Sequence, residues 1–213
     1  MKTAKPGSST LAPGAELILA SASVGRAAVL RDAGLAFRQL PASIDERAIE
    51  AEMAEQGGGL DAESLALLLA GKKACAVSRD QPCALVLGAD QVMECCGEIL
   101  HKPVDHAAAH AQLVRLRGQA HRLFSALAIA MGGKVIWQHV DCARLTMRDF
   151  SNAFLDAYLA AEGEEVLRSV GGYRIEGRGI QLFSMVEGDH FTIIGLPLLP
   201  LLAYLRASGW LAS

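Results

Sequence analysis

The sequence predicts an α/β fold with a mixed β-sheet and flanking helices. Three observations carry that reading. Short apolar runs, Leu17–Ala20 and the run ending at Asp90 in Ala84–Asp90, alternate with segments of helical spacing, as in βα units. A hairpin signal interrupts the alternation: Gly132-Gly133 between Leu123–Met131 and Lys134–Leu145, so part of the sheet runs antiparallel. And 213 residues, 52% of them hydrophobic, suffice for one large domain or two intimate lobes; aromatics are few, so the core is mainly aliphatic.

The elements follow in order. Residues 1–15, rich in Ser, Pro and Gly, read as a loose tail ahead of a single domain over 16–213. Leu17–Ala20 is a buried strand, and Ser23–Ala33 a helix closed by Gly34. Phe37–Pro41 offers a second strand. Asp45–Gln56 is a helix stopped by Gly57–Gly59, and Asp61 caps a leucine-rich helix over about Ala62–Ser78. A strand ending at Asp90 follows, then a hairpin over Gln91–Leu100 folded at Gly97. After Pro103 comes a helix over about Asp105–Leu116, ended by Gly118. Ser151–Ala161 is a capped helix terminated by Gly163, and Gly171–Gly179 is a glycine-rich loop. Ile180–Val186 and Phe191–Ile194 read as strands, and Leu198–Ala207 as a last helix.

Composition narrows the function. A net charge of −3 gives no electrostatic footprint for nucleic acid, so any anion must meet a local group of cations. The apolar run Ile193–Leu205 is broken by Gly195, Pro197 and Pro200 and is too short for a membrane span. The N-terminus lacks an apolar core of signal-peptide length. Five cysteines without a CxxC pair fit reduced thiols in a cytoplasm; the adjacent Cys95 and Cys96 are either redox-active or ordinary turn residues.

Two junctions carry chemistry. Ser21-Ala22-Ser23 lies between a strand and a helix, where unpaired amides and two hydroxyls suit phosphate and Arg26 projects a bidentate fork; Ser23 is equally an N-cap. Asp90 can bind a divalent cation, activate water as a general base, or simply cap a turn. Glu46 opens a helix, where acids are favoured anyway. Facing Asp90, it would complete a pair of carboxylates for one Mg²⁺, with phosphate oxygens and water filling the shell. Lys73 and Lys102 flank loops and are either solvated or phosphate-binding. His106 and His110 share a helix face, but no Glu lies between them in a zinc-hydrolase pattern. Phosphate-binding groups on one side and an acid on the other point to hydrolysis of a phosphate ester or anhydride.

Together these segments resemble the Maf family of nucleoside triphosphate pyrophosphatases. The blocks are LILASAS with Arg26, IDE at Ile44–Glu46, KKACAV at Lys72–Val77, LGADQV at Leu87–Val92, Lys102-Pro103, and GGYRIEGRGIQLF through GLPL at Gly171–Leu198. The resemblance implies a mixed α/β fold with two lobes around a central cleft, and frequent homodimers. It implies metal-assisted attack of water on a nucleoside triphosphate, yielding a monophosphate and pyrophosphate, with Mg²⁺ or Mn²⁺. By motif position Asp90 matches the general base, and Ser21, Ser23, Arg26, Glu46, Lys73 and Lys102 match positions that engage phosphates or metal. Gln91 and Glu176 resemble the branch acting on 7-methyl-GTP, which makes the expected substrate a modified or purine-leaning nucleotide. Val24, Gly25 and Ala27 depart from the family pattern and remove one phosphate-facing cation. A nucleotide-binding regulator of cell division with little turnover is the alternative.

Overall fold

The computed structural model describes residues 11–12, 14–55 and 61–212. Most of the expected tail and the Gly57–Gly59 stop lie outside them. Within the described part of that tail, Leu11 bridges Leu211 antiparallel.

The strands are β1 (Leu17–Leu19), β2 (Arg38–Gln39), β3 (Leu85–Cys95), β4 (Glu98–Leu100), β5 (Ala120–Met131), β6 (Lys134–Met147) and β7 (Phe183–Glu187). The helices are α1 (Val24–Asp32), α2 (Glu46–Glu55), α3 (Ala62–Asp80), α4 (His106–Leu116), α5 (Asn152–Glu162), α6 (His190–Ile194) and α7 (Leu198–Ala207). One seven-stranded sheet runs β2-β1-β3-β5-β6-β7, with β4 on β3. It is mixed: β1 pairs in parallel with β2 and β3, whereas β3–β4 and β6–β7 are antiparallel. Gly132 and Gly133, both at positive φ, make the two-residue β5–β6 turn. The expected caps form at Ser23, Asp61 and Ser151, each accepting the backbone N–H three residues on, and Asp105, expected as the first helical residue, does the same for α4.

The chain divides into two compact units, one of residues 1–90, 126–140 and 195–213, the other of 91–125 and 141–194; the division falls within β3, β5 and β6. The first buries Leu17, Ile18, Leu19, Leu30, Leu69, Leu85, Leu87, Leu201 and Leu205. The apolar runs of β1 and β3 are buried throughout, as expected of strands in a parallel part of a sheet. The second packs Met93, Leu113, Leu116, Leu123, Leu145, Phe150, Leu155, Tyr158 and Leu182 into its own core.

Three expectations are corrected. The strand carrying Asp90 does not end there but continues to Cys95, because it exchanges its parallel partner β1, paired only as far as Leu87, for the antiparallel β4 at Met93–Cys95. And Phe191–Ile194 is not a strand. Asp189 Oδ1 accepts the N–H groups of Phe191 and Thr192, an N-terminal cap that turns this β-branched segment into α6. Upstream, Ile180 and Leu182 lie in a 3₁₀ turn (Arg178–Leu182), and only Phe183 onward is extended.

Candidate active site

Side chains alternate along β3, so Gly88 and Asp90 share a face. That face meets α3. A Cβ at Gly88 would lie 2.1 Å from the Ala70 carbonyl and 2.7 Å from the Ala74 amide, so only glycine lets the helix come this close. Lys73 lies on the same stretch of α3 as Ala70 and Ala74, and the close approach delivers its ammonium to Asp90, Nζ to Oδ1 being 2.5 Å. The same nitrogen sits 2.7 Å from Glu46 Oε1, at the first residue of α2. Asp90 is 8% and Lys73 13% exposed, whereas Glu46 is 47% exposed, so the cluster is buried at Asp90 and opens at Glu46.

Arg26 is the second cation. Its Nε donates to Gly195 O (2.8 Å), and its Nη1 to Ala89 O (2.8 Å) and Ser21 Oγ (3.3 Å). Burial lowers its pKa from the usual arginine value, while the charges of Asp90 and Glu46 act to raise it. The expected fork therefore ties the start of α1 to the backbone beside Asp90. Ser21 is buried; its Oγ also accepts from Ser23 N (3.2 Å), and its carbonyl takes the Gln39 amide at 2.8 Å. Ser23 caps α1, as its structural reading expects.

Ser21, Ser23, Arg26, Glu46, Lys73 and Asp90 thus lie in the first unit, and four of them form one ionic cluster. Gln91, Lys102 and Glu176 belong to the second. Gln91, on the opposite face of β3 from Asp90, donates its amide to Ser125 Oγ (2.9 Å), Thr192 O (3.1 Å) and Ile193 O (3.0 Å). Lys102 and Glu176 are exposed. His106 approaches Glu164 (3.0 Å) and His110 approaches Asp156 (3.5 Å).

Sequence reasoning missed the carbonyls of Ala89 and Gly195, and Gln39. Backbone acceptors leave no residue-type signal, and Gly195 is 169 positions from Arg26. Gly88 was readable only as part of a motif; its role appears once α3 is laid on β3.

Burying charges is a poor way to gain stability, because desolvation offsets their attraction. An aspartate, a lysine and an arginine gathered with little exposure, and a glutamate at the rim, therefore point to chemistry. Two carboxylates converging on one ammonium show that both reach a single cationic point. Their hard oxygens fit Mg²⁺ or Mn²⁺. Among the described residues no group of three or more His, Cys, Asp or Glu could hold a metal, so the pair requires further oxygens from a ligand or water. No helix among them is long and apolar enough to cross a membrane.

The Maf-like protein family profile matches residues 16–208. The chain is similar to the 7-methyl-GTP pyrophosphatase of Mesorhizobium japonicum, 50% identical over 91% of this chain and 96% of that protein. It is also similar to the protein of that name from Brucella abortus, 48% identical over 90% and 95%. The nucleoside triphosphate pyrophosphatase of Nitrobacter winogradskyi is 48% identical over 92% and 95%. With the family profile matched over nearly the whole chain and relatives about half identical along it, the protein belongs to the Maf family.

Proposed function

We propose that the protein is a nucleoside triphosphate pyrophosphatase, a hydrolase of acid anhydrides that converts a nucleoside triphosphate and water into a nucleoside monophosphate and pyrophosphate. The observation that carries this reading is the Lys73 ammonium held 2.5 Å from Asp90 and 2.7 Å from Glu46, with the Arg26 guanidinium buried nearby. The names of its relatives support the same reaction.

Water attacks the α-phosphorus, the bond from that phosphorus to the bridging oxygen breaks, and pyrophosphate leaves in line. Asp90 accepts the proton of the attacking water. In the free protein Lys73 neutralises Asp90 and Glu46 and so lets two acids sit together; an arriving polyphosphate competes for its ammonium and frees the base. Arg26 holds the first turn of α1, with Ser21 and Ser23, in place to meet phosphate oxygens. Lys102 adds a phosphate-binding cation. Glu46 and Asp90 are the residues that would hold Mg²⁺ or Mn²⁺, which when bound neutralises phosphate charge.

The base is a modified or purine-type one. Glu176 can accept hydrogen bonds from a guanine edge, and five relatives of similar length carry the 7-methyl-GTP name. The test is pyrophosphate release from a panel of 7-methyl-GTP, ITP, dTTP and UTP with Mg²⁺. Release from the purine members is expected. Orthophosphate alone would rule out the reaction, and tight binding without turnover would favour a nucleotide-responsive regulator. The assembly is a homodimer in this reading, and its substrate a free nucleotide of the cytoplasm.

A further inference from the structure

In the second unit, the turn between β3 and β4 places two thiols side by side. Cys96 and Gly97 form it, and Cys96 has φ 52, a left-handed conformation where Asn, Asp or Gly is usual. Backbone strain of this kind at a chemically reactive residue is a pointer to use. Cys95 is 1% exposed and Cys96 is exposed, and their sulfurs lie 3.8 Å apart. Cys96 lines a cavity of about 270 Å³ together with Glu94, Ala120, His121, Arg122 and Arg144. Arg122 is paired with Glu94 at 2.5 Å; Arg144 supplies a further guanidinium on this wall. An oxidant can therefore reach one sulfur of the pair beside donors able to stabilise a departing oxygen anion.

We propose that Cys95 and Cys96 are a peroxide-responsive dithiol, with Cys96 the attacking sulfur and Cys95 the resolving one. The Cys96 thiolate attacks one oxygen of hydrogen peroxide. The O–O bond breaks, a sulfenic acid forms on Cys96, and hydroxide leaves to become water. Cys95 Sγ then attacks Cys96 Sγ. The S–O bond breaks, and the Cys95 proton departs with hydroxide as a second water. Two thiols and one peroxide thus give one disulfide and two waters. Burial, the largest influence, pushes the Cys95 thiol up to about 11, which suits a group that stays protonated until its neighbour is oxidised. Neighbouring Cα atoms are about 3.8 Å apart, less than the roughly 4.4–6.8 Å of a relaxed disulfide. The bond is therefore strained and easily reduced, as a reversible modification requires.

The inference is independent of the nucleotide chemistry, and its test reads mass. Reduced protein is treated with hydrogen peroxide, the remaining thiols are alkylated, and peptides are weighed. The peptide holding both cysteines should lose the mass of two hydrogens and regain it with dithiothreitol, while the exposed Cys83 and Cys142 stay alkylatable. C95S should instead accumulate a sulfenic acid on Cys96 that dimedone traps. Sulfinic or sulfonic acid on Cys96 of the wild-type protein without the disulfide would overturn the proposal. So would oxidation of Cys83 at the same peroxide concentration.

Discussion

Asp90 and Gln91 are neighbours on β3, yet the two residues lie in surroundings built on different principles. Asp90 is held by charge: Lys73 at 2.5 Å, Arg26 close enough to feel it, and Glu46 sharing the same ammonium. Gln91 is held by neutral hydrogen bonds to Ser125, Thr192 and Ile193. A satisfied neutral network fixes structure without bringing charge out of water. A buried ionic cluster stabilises little and stores reactivity. Adjacent residues of one motif can therefore divide the work: Gln91 holds the peptide of α6 in place, and Asp90, in the reading proposed above, serves the chemistry.

The largest expected effect tests the chemical half. Asp90→Asn keeps shape and removes the charge. Turnover should fall by about 10²–10⁴-fold, the range for losing a general base, while the circular dichroism spectrum and unfolding midpoint stay near wild type. Pyrophosphate release measured beside both would expose a folded variant of near-normal kcat, and that result would remove Asp90 from the mechanism.

The structural half should show itself in acid. His121 in the second unit is 1% exposed; its Nε2 lies 2.7 Å from Tyr173 Oη, and its Nδ1 has no hydrogen-bond partner among the described residues. Burial lowers its pKa from 6.5 to about 4. The unfolded chain therefore binds the proton first. The stability of keeping His121 neutral is complete above pH 6.5 and is lost as pH falls toward 4, amounting to roughly 3 kcal/mol at that end. Urea unfolding near pH 7.5 and near pH 4.5 should show a steeper loss in wild type than in His121→Gln. Equal slopes would contradict the burial effect.

Gly88→Ala probes the scaffold that unites α3 with Asp90. The added methyl would overlap the Ala70 carbonyl at 2.1 Å, and backbone cannot rotate aside as a side-chain tip can. A loss of about 1–3 kcal/mol is expected from such overpacking, seen as a lower unfolding midpoint, together with a fall in kcat as Lys73 is carried away from Asp90. A variant as stable and as active as wild type would show that helix and strand tolerate a wider separation.

How much of this was legible in the sequence follows from how each signal is encoded. Local signals were clear. The caps at Ser23, Asp61 and Ser151, the Gly132-Gly133 turn and the helix-ending Gly34, Gly118 and Gly163 were all readable, because each depends on a few consecutive residues. Partner exchange was not. That β3 runs on past Asp90 depends on β4 arriving where β1 has stopped, a tertiary event. Phe191–Ile194 holds a Thr and two Ile, which favour a strand, and only the Asp189 side chain, by capping the segment, makes it a helix. Of the site, the charged residues were visible through motif resemblance, while the acceptors that fix Arg26 are main-chain carbonyls with no side-chain signature.

The smallest expected effect separates the two roles of Gln91 that the sequence left joined. The resemblance makes Gln91 and Glu176 a base-recognising pair, but the Gln91 amide nitrogen already faces three acceptors. Only its carbonyl oxygen remains for recognition. Threonine is too short to reach Thr192 and Ile193 in the same way; Thr192 O keeps Ser125 Oγ at 2.6 Å, but Gln91→Thr takes the Gln91 amide from Ile193 O, at about 1–2 kcal/mol. Amide hydrogen exchange at residues 190–194 should therefore quicken, whereas Glu176→Gln should leave exchange alone and shift preference toward dTTP or UTP. If Gln91→Thr changed the nucleotide ranking and left exchange at α6 untouched, Gln91 would be a reader of the base, and the division of labour along β3 would fail.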